Sequence, residues 1–371
     1  MKKINLCMIV KDEAHVIERC LESVKPLIDE VVIVDTGSTD NTIEVINNFL
    51  KRENLAGKIT ETVWQGFAHG RSLALEEARK TDCDYSLMID ADEVLKFQDE
   101  FDVQKFKESL VHDIYDIPSN MAGTVYYRPT LTSNLIKFKY RGVVHEFLDG
   151  YNFQTRGSVN LPTQFYNHPI QDSTRNKNPR KFQDDAKLIE EALETETDDF
   201  LRARYTFYAA QSHKDCNQLG KALDFYFQRM EMGHWEEECY QSCLKAGLLQ
   251  EQLGYPKDVI ISTYLRGLEF NSSRAEIYHY LAKYCRLNGR DHFAYLMSKE
   301  GLTKKIKKHF LFTETWIYNY GIQDEFSIAA YWSGHYSESL EYCQRLLFNK
   351  TLPEEQLPRI QTNLDFAKSK M

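Results

Sequence analysis

The chain lacks three features that mark well-known functional classes. Its net charge is -9 at pH 7, and since a nucleic-acid backbone requires a basic surface, nucleic acid is not an expected partner. No apolar run approaches the ~20 residues that a membrane-spanning helix needs. The N-terminal apolar stretch is short and runs directly into Lys11, so it is predicted to be a strand and not a signal peptide.

The chain also lacks the cysteine spacing of a disulfide framework. Its eight cysteines are scattered through predicted strands and helices, and Cys239 and Cys243, which share a helix face, have no nearby partners for a zinc ion. This pattern is typical of a reducing compartment, so a cytoplasmic location is expected. The composition, 42% hydrophobic and 27% charged, is that of a soluble globular protein, and 371 residues are enough for two domains.

Three apolar runs in the N-terminal half end in acidic residues. They cover residues 4–10, 31–34 and 85–89, with helical patterns between them. Such an alternation favours an α/β fold with a mostly parallel sheet covered on both faces. Ligands of these sheets bind beyond the carboxyl ends of the strands. The acidic residues expected at this edge are Asp12, Glu13, Asp35, Asp90 and Asp92.

Asp90 and Asp92 form the most informative pair in the chain. Residues at i and i+2 of a strand lie on the same side, and two carboxylates so close together favour a bound Mg²⁺ or Mn²⁺ completed by substrate phosphates. The alternative is that they cap the next helix. Three acidic strand ends on one rim are too many for capping alone.

Three ordered motifs, IVKDEAHVIERCL, VVIVDTGSTDNT and LMIDADEVL, resemble the family 2 glycosyltransferases of GT-A fold. They most resemble the branch that carries a tetratricopeptide (TPR) tail. The resemblance implies an inverting transfer from a nucleoside-diphosphate sugar. It implies that Asp35 holds the nucleotide base, and that Asp12 and Glu13 lie beside the base and ribose. It also implies that Asp90 lies near the ribose, and that Asp92 binds a metal bridging the diphosphate.

The segment at residues 64–78, WQGFAHGRSLALEEA, corresponds to the family's glycine-and-arginine stretch that leads into a helix. The resemblance implies that Arg71 reaches the nucleotide or its phosphates. The common family pattern has Asn after this arginine, whereas this chain has Ser72. The alternative for Arg71 is a solvated residue of the first helical turn.

The segment at residues 140–147, YRGVVHEF, carries the candidate catalytic base. Inversion requires a base that takes the acceptor's proton. Glu146 is the predicted base, and His145 is a possible metal or phosphate contact. Because neighbours on an extended strand point to opposite faces, one of the two is expected to do the chemistry. His168 lies where related enzymes carry a metal-proximal histidine. Each histidine has a structural alternative, a hydrogen-bonded and partly buried imidazole.

Helical hairpins replace the strand patterns in the second half. Ala282 and Ala294, twelve residues apart, match the small positions at which paired TPR helices approach closely. The predicted organisation is a GT-A catalytic domain at 1–175, a connecting helix at 176–200, and a TPR-like helical repeat domain at 201–371 that ends in a capping helix.

We therefore predict a metal-dependent, inverting hexosyltransferase that uses Mn²⁺ or Mg²⁺ and a nucleoside-diphosphate sugar, with a UDP-hexose as the expected donor. The acceptor stays open between a glycan, a lipid-linked sugar and a protein or peptide. The repeats are expected to recruit the acceptor or to mediate self-association, such as a homodimer.

Two other functions compete with this prediction. One is a catalytically silent scaffold whose repeats bind a protein partner. The other is a nucleotidyltransferase, which is disfavoured because the first strand is followed by IVKDEA and not by a glycine-rich loop with a lysine.

Overall fold

The computed structural model describes residues 1–121, 124–150, 153–160, 163–307 and 310–371. The chain divides into two compact units. The first runs to Cys216 apart from a short stretch near residue 125, and the second consists mainly of Asn217–Met371. The connecting helix and the first helix of the predicted repeats thus group with the first unit. The domain boundaries predicted at residues 175 and 200 stay a prediction.

Strands and helices alternate at the start of the first unit, as the apolar runs predict. In chain order they are β1 (Ile4–Val10), α1 (Ile17–Val24), β2 (Glu30–Asp35), α2 (Thr42–Arg52), β3 (Ala56–Glu61), α3 (Phe67–Ala78) and β4 (Tyr85–Met88). β1 pairs in parallel with β2 and with β4, and β2 pairs in parallel with β3. The carboxyl ends of these four strands therefore share one edge of the sheet.

The rest of the first unit extends the sheet and adds two long helices. The elements are β5 (Glu93–Phe97), α4 (Val103–Glu108), β6 (Ile114–Met121), β7 (Thr124–Ser133), β8 (Lys139–Arg141), β9 (Phe147–Asp149), β10 (Arg156–Ser158), β11 (Phe165–Pro169), α5 (Lys181–Thr195) and α6 (Asp199–Asp215). The order across the sheet is β3-β2-β1-β4-β7-β6-β11-β5. Because β7 runs antiparallel to β4, and β5 antiparallel to β11, the predicted mixed, mostly parallel sheet is confirmed.

Both faces of the central strands are buried. Leu6 and Met8 of β1 belong to a core on one face, together with Leu21 of α1. Cys7 belongs to the core on the other face, together with Ala74 of α3. Burial on both faces explains the continuous apolar runs, and a slip of one residue would exchange the two side-chain sets.

The second unit consists almost entirely of helices, as predicted. They are α7 (Leu219–Glu231), α8 (Glu236–Leu253), α9 (Lys257–Phe270), α10 (Glu276–Leu287), α11 (Asp291–Gly301), α12 (Ile322–Trp332), α13 (Tyr336–Leu347) and α14 (Leu357–Lys368), with a two-residue strand β12 (Thr313–Glu314) and a π-helical turn at Ile317–Gly321. Consecutive helices pack in pairs, and the last helix, α14, packs on α13.

The α8–α9 pair shows how close these helices come. A Cβ built on Gly247 would lie 2.5 Å from the ring of Tyr264, so this approach requires glycine. Val259 follows Gly247 by the same twelve residues that separate Ala282 and Ala294, but it is 41% exposed and does not pack closely in this pair. Within the described residues, no helix combines the length and the apolar character that crossing a membrane would require.

Candidate active site

Acidic side chains gather at the carboxyl edge of the parallel strands. Asp35 is the last residue of β2, Asp12 and Glu13 follow β1, and Asp90 and Asp92 follow β4. Their convergence results from the parallel pairing, because the ends of neighbouring parallel strands meet at one edge. The predicted acidic rim is thus present in the structure.

Asp35 is the most deeply buried carboxylate of this rim, with 1% of its surface exposed. Its Oδ1 accepts hydrogen bonds from the backbone N–H groups of Gly37 and Ser38, both at 2.8 Å. Its Oδ2 is buried and has no hydrogen-bond partner among the described residues. Burying a carboxylate oxygen without a hydrogen-bond donor costs free energy. A ligand N–H or O–H group that donates to this atom would offset that cost.

Asp12 and Glu13 hold loops together at the ends of β1 and β2. The Asp12 carboxylate accepts from the backbone N–H of Thr39 at 2.7 Å, and its own N–H donates to the Ser38 hydroxyl at 2.9 Å. The Glu13 N–H donates to the hydroxyl of Thr42 at 2.8 Å. Thr42 begins α2 directly after its N-cap residue Asn41.

Glu13 is also electrostatically unusual. Burial raises the pKa of its carboxyl to about 7, one hydrogen bond from the N–H of Thr174 opposes this, and nearby Asp92, Asp40 and Asp90 raise the pKa further. Burial thus favours the protonated form of one carboxyl group of the acidic rim.

Arg71 connects two candidate site residues that are distant in sequence. Its Nη2 donates to Oδ1 of Asp90 at 2.5 Å, and its Nε donates to Oε1 of Glu146. Its guanidinium also lies over the ring of Tyr140, with 5.8 Å from Cζ to the ring centre. The Arg71 side chain is 13% exposed and that of Glu146 is 10% exposed. Arg71 is therefore a buried bridge and not a solvated residue of the first turn.

Asp90 is kept ionised by this arrangement. Burial alone would raise the pKa of its carboxyl, but the guanidinium groups of Arg71 and Arg128 outweigh burial, so the pKa lies below its ordinary value. Arg128 itself pairs with Glu93 at 2.5 Å and provides a second positive charge near Asp90. The sequence contained no motif for the Arg128–Glu93 pair, because its members are 35 residues apart on different strands.

Asp92 contacts a different set of groups from Asp90. Residues 90–92 form a turn after β4, closed by the Glu93 N–H donating to the Asp90 carbonyl at 3.0 Å, so the expected extended strand end is absent here. Oδ2 of Asp92 accepts from Nδ2 of Asn176 at 2.8 Å and from the N–H of Ser173 at 3.3 Å. Sequence reasoning missed Ser173 and Asn176, because the polar segment that contains them has no periodic pattern; in the structure Asn176 belongs to the 3₁₀ turn Arg175–Lys177.

The segment YRGVVHEF is a hairpin and not one continuous strand. β8 and β9 pair antiparallel, and residues 142–146 form the loop between them. The premise that His145 and Glu146 alternate along an extended strand is therefore wrong. Glu146 faces Arg71, whereas the His145 ring stacks on Tyr208 with ring centres 4.0 Å apart.

His168 lies on β11, opposite Val94 of β5. Its Nδ1 is 3.1 Å from the carbonyl oxygen of Asn120, which matches the structural alternative of a hydrogen-bonded imidazole. The N–H of Ile170 donates to the backbone carbonyl of Asp92 at 3.0 Å, so the end of β11 runs beside the turn that carries the acidic pair.

The predicted metal ligands do not form a preassembled site. In the part of the chain that the structure describes, no three side chains of His, Cys, Asp or Glu converge as a metal-binding group. Asp90 is paired with Arg71, whereas Asp92 accepts its hydrogen bonds from Ser173 and Asn176 through Oδ2, so its Oδ1 is the oxygen that could hold a cation. This donor set fits a cation that is held by one carboxylate and completed by substrate phosphates.

Parts of the chain are similar to known proteins. Residues 6–170 match the family model described as "Glycosyl transferase family 2". An uncharacterized glycosyltransferase of Rickettsia bellii is 40% identical over 105 residues, which cover 27% of this chain and 32% of that protein. A TPR repeat-containing protein of Synechococcus elongatus is 38% identical over 96 residues, which cover 26% of this chain and 22% of that protein.

The solved structures that match the chain have lower sequence identity to it. The crystal structure of the MamA protein has a TM-score of 0.36 and 12% identity, and covers 45% of this chain and 81% of that chain. The structure titled "S. aureus TarS 1-349" has a TM-score of 0.33 and 13% identity, and covers 82% of this chain and 93% of that chain. The sequence matches span less than a third of the two curated relatives described above.

Proposed function

Residues 6–170 form a family 2 glycosyltransferase domain, and from this premise we propose that the chain transfers a sugar from a nucleoside-diphosphate sugar to an acceptor with inversion. UDP-hexoses are the first donors to test. The acceptor would be a glycan, a lipid-linked sugar, or a protein or peptide.

The observation that carries the proposal is Oδ2 of Asp35. This oxygen is buried at the carboxyl end of a parallel strand, and it has no donor among the described residues. A nucleotide base supplies ring N–H donors, and a ribose supplies hydroxyl donors. Binding either one would satisfy the oxygen and offset the cost of burying it.

The bridge of Arg71 supports the transfer step. The acceptor oxygen or sulfur forms a bond to the anomeric carbon, the bond from that carbon to the phosphate oxygen breaks, and the nucleoside diphosphate leaves. Arg71 orients the Glu146 carboxylate through Oε1, while Oε2 has no partner among the described residues and would receive the acceptor's proton. A Mn²⁺ or Mg²⁺ ion on Asp92 would supply neutralisation of the diphosphate charge.

Donor binding and donor hydrolysis test the proposal, because water substitutes for the unknown acceptor. UDP-, GDP- and dTDP-sugars would be titrated by calorimetry with Mn²⁺, with Mg²⁺ and with EDTA, and hydrolysis would be followed as release of the nucleoside diphosphate. We expect one nucleotide class to bind, Asp35→Asn to weaken its binding at least tenfold, and Asp92→Ala to remove the metal dependence.

Asp84→Asn is the matched control. Asp84 precedes β4 at the opposite edge of the sheet and binds the N-terminal Lys3 N–H at 2.8 Å. This variant should bind the donor like the wild type. If no donor binds to the folded wild-type protein under any metal condition, the proposed function is wrong, and a scaffold whose repeats bind a protein partner becomes the better hypothesis.

A further inference from the structure

The loop that carries Glu146 has an unusual backbone. Gly142 has φ +108°, and His145 has φ +50° although it is not glycine. A left-handed conformation is unfavourable for a residue with a Cβ, and it persists where surrounding contacts enforce it. Since His145 directly precedes Glu146, its conformation sets where the Glu146 side chain starts.

The contacts that enforce this conformation come from α6. Arg204 donates from Nη2 at 2.8 Å and from Nε at 3.1 Å to the carbonyl oxygen of His145. Tyr208, one helical turn later, stacks on the His145 ring with an interplanar angle of 12°. The guanidinium of Arg204 in turn lies 4.8 Å from the centre of the Tyr208 ring.

Neighbouring contacts fasten the two strands on either side of the loop to the same helix. Arg141, at the end of β8, pairs at 2.7 Å with Asp198, which is the N-cap of α6. Phe147, at the start of β9, packs edge-on against Phe200 with ring centres 5.2 Å apart. The loop is thus held at its base and at its tip by one helix.

We infer that Arg204 and Tyr208 of α6 are positioning residues for Glu146, which they hold toward Arg71 by fixing the loop at residues 142–146. They lie outside the family-matched residues 6–170. The structural part of this inference stands alone, whereas its catalytic part rests on the proposed function. His145 serves here as an anchor of the loop.

Hydrogen exchange tests the structural part without any substrate. In Arg204→Ala we expect the amides of residues 142–147 to exchange at least tenfold faster than in the wild type. The matched control is Arg202→Ala, because Arg202 lies on the same helix but donates to the carbonyls of Leu193 and Glu196. Unchanged exchange in Arg204→Ala would overturn the inference, whatever the activity of the protein.

Kinetics of donor hydrolysis test the catalytic part. Arg204→Ala and Tyr208→Ala should lower kcat at least tenfold with a nearly unchanged KM for the donor, and Arg204→Lys should recover part of the loss. Combined with Glu146→Gln, Arg204→Ala should cause no further loss, because both changes act on the same step. Multiplicative losses in the double variant would contradict action through Glu146. A wild-type protein without donor binding would instead contradict the proposed function.

Discussion

The two units each contain an arginine held between two carboxylates, and the two clusters differ in exposure. Arg71 bridges Asp90 and Glu146, and the side chain of Asp90 is 35% exposed. Arg274 of the second unit bridges Glu237 and Glu276, and the arginine is fully buried.

The partners of the second cluster are more numerous. Arg274 also donates to the carbonyl of Leu311 at 2.8 Å, and Glu276 also accepts from the hydroxyl of Tyr318 at 2.8 Å. A closed network of this kind fastens the segment at residues 311–318 to α8 and α10. The open cluster, in contrast, leaves carboxylate oxygens for a ligand. An arginine between two carboxylates thus belongs to a closed network in the second unit and to a more open one at the candidate site of the first.

The largest effect is expected from a matched pair of amide substitutions. Glu146→Gln should lower turnover with a hydroxyl acceptor by ~10²–10⁴-fold, because a general base contributes about that much. It should lower stability less than Glu276→Gln does, because Arg71 keeps Asp90 as a partner. With a thiol acceptor the loss of turnover should be small, since part of a thiol is already ionised. Glu276→Gln should keep the turnover and cost about 2 kcal/mol of stability. Steady-state kinetics measure the turnover, and urea unfolding measures the stability. Loss of activity in Glu276→Gln would contradict the proposed difference between the two clusters.

Removing the buried arginine comes next. Arg274→Ala should lower the free energy of unfolding by about 3–5 kcal/mol, because it leaves Glu237 and Glu276 as uncompensated buried charges. Urea denaturation measures the change. If the free energy of unfolding falls by less than about 1 kcal/mol, water must reach the two carboxylates, and the network around Arg274 is not closed to solvent.

Arg71→Ala should have the opposite profile. We expect turnover to fall about 100-fold, since a positioned cation near the developing charge is lost. Stability should fall by about 1–3 kcal/mol, less than in Arg274→Ala, because the Asp90 side chain is 35% exposed although that of Glu146 is 10% exposed. Donor hydrolysis and urea denaturation measure the two effects. A stability loss equal to that of Arg274→Ala would remove the difference between the clusters.

The smallest effect concerns Glu13, a rim carboxyl without an arginine partner among the described residues. Burial raises its pKa from 4.5 to about 7. Between these two pH values the carboxyl group is therefore protonated in the folded protein and ionised in the unfolded chain. Wild-type stability should therefore decline relative to Glu13→Gln by about 2 kcal/mol as the pH rises from 4.5 to 7.5. Urea unfolding of both proteins at the two pH values measures the difference, and a constant difference would contradict the raised pKa.

Local patterns made much of the fold predictable. The apolar runs marked β1, β2 and β4, because strands buried on both faces leave a continuous signal. The helices of the second unit were predictable from helical periodicity and from small residues at close contacts. The short strands β8–β10 carry three residues each, too few for a pattern, so the hairpin around His145 was read as one strand.

The site was predictable residue by residue but not in its pairings. Asp35, Asp90 and Asp92 lie at the ends of apolar runs, and this pattern predicts that they belong to the site. The ion pair of Arg71 with Glu146 joins residues 75 positions apart, and only tertiary packing creates it. Asn176 and Arg204 are ordinary polar residues in sequence, and their importance arises from the atoms that the fold brings within hydrogen-bonding distance.

The partners of Asp92 and of the Glu146 loop have a practical consequence for cutting the protein. The family match ends at residue 170, yet Ser173 and Asn176 hold Asp92, and α6 holds the loop. A fragment that ends at residue 170 would lack α6, so the surface of the Glu146 loop that packs on this helix would be exposed. It would also lack Ser173 and Asn176, so the turn that carries Asp92 would lose their hydrogen bonds. We expect the shortest autonomous catalytic fragment to extend to Cys216, where the first compact unit ends.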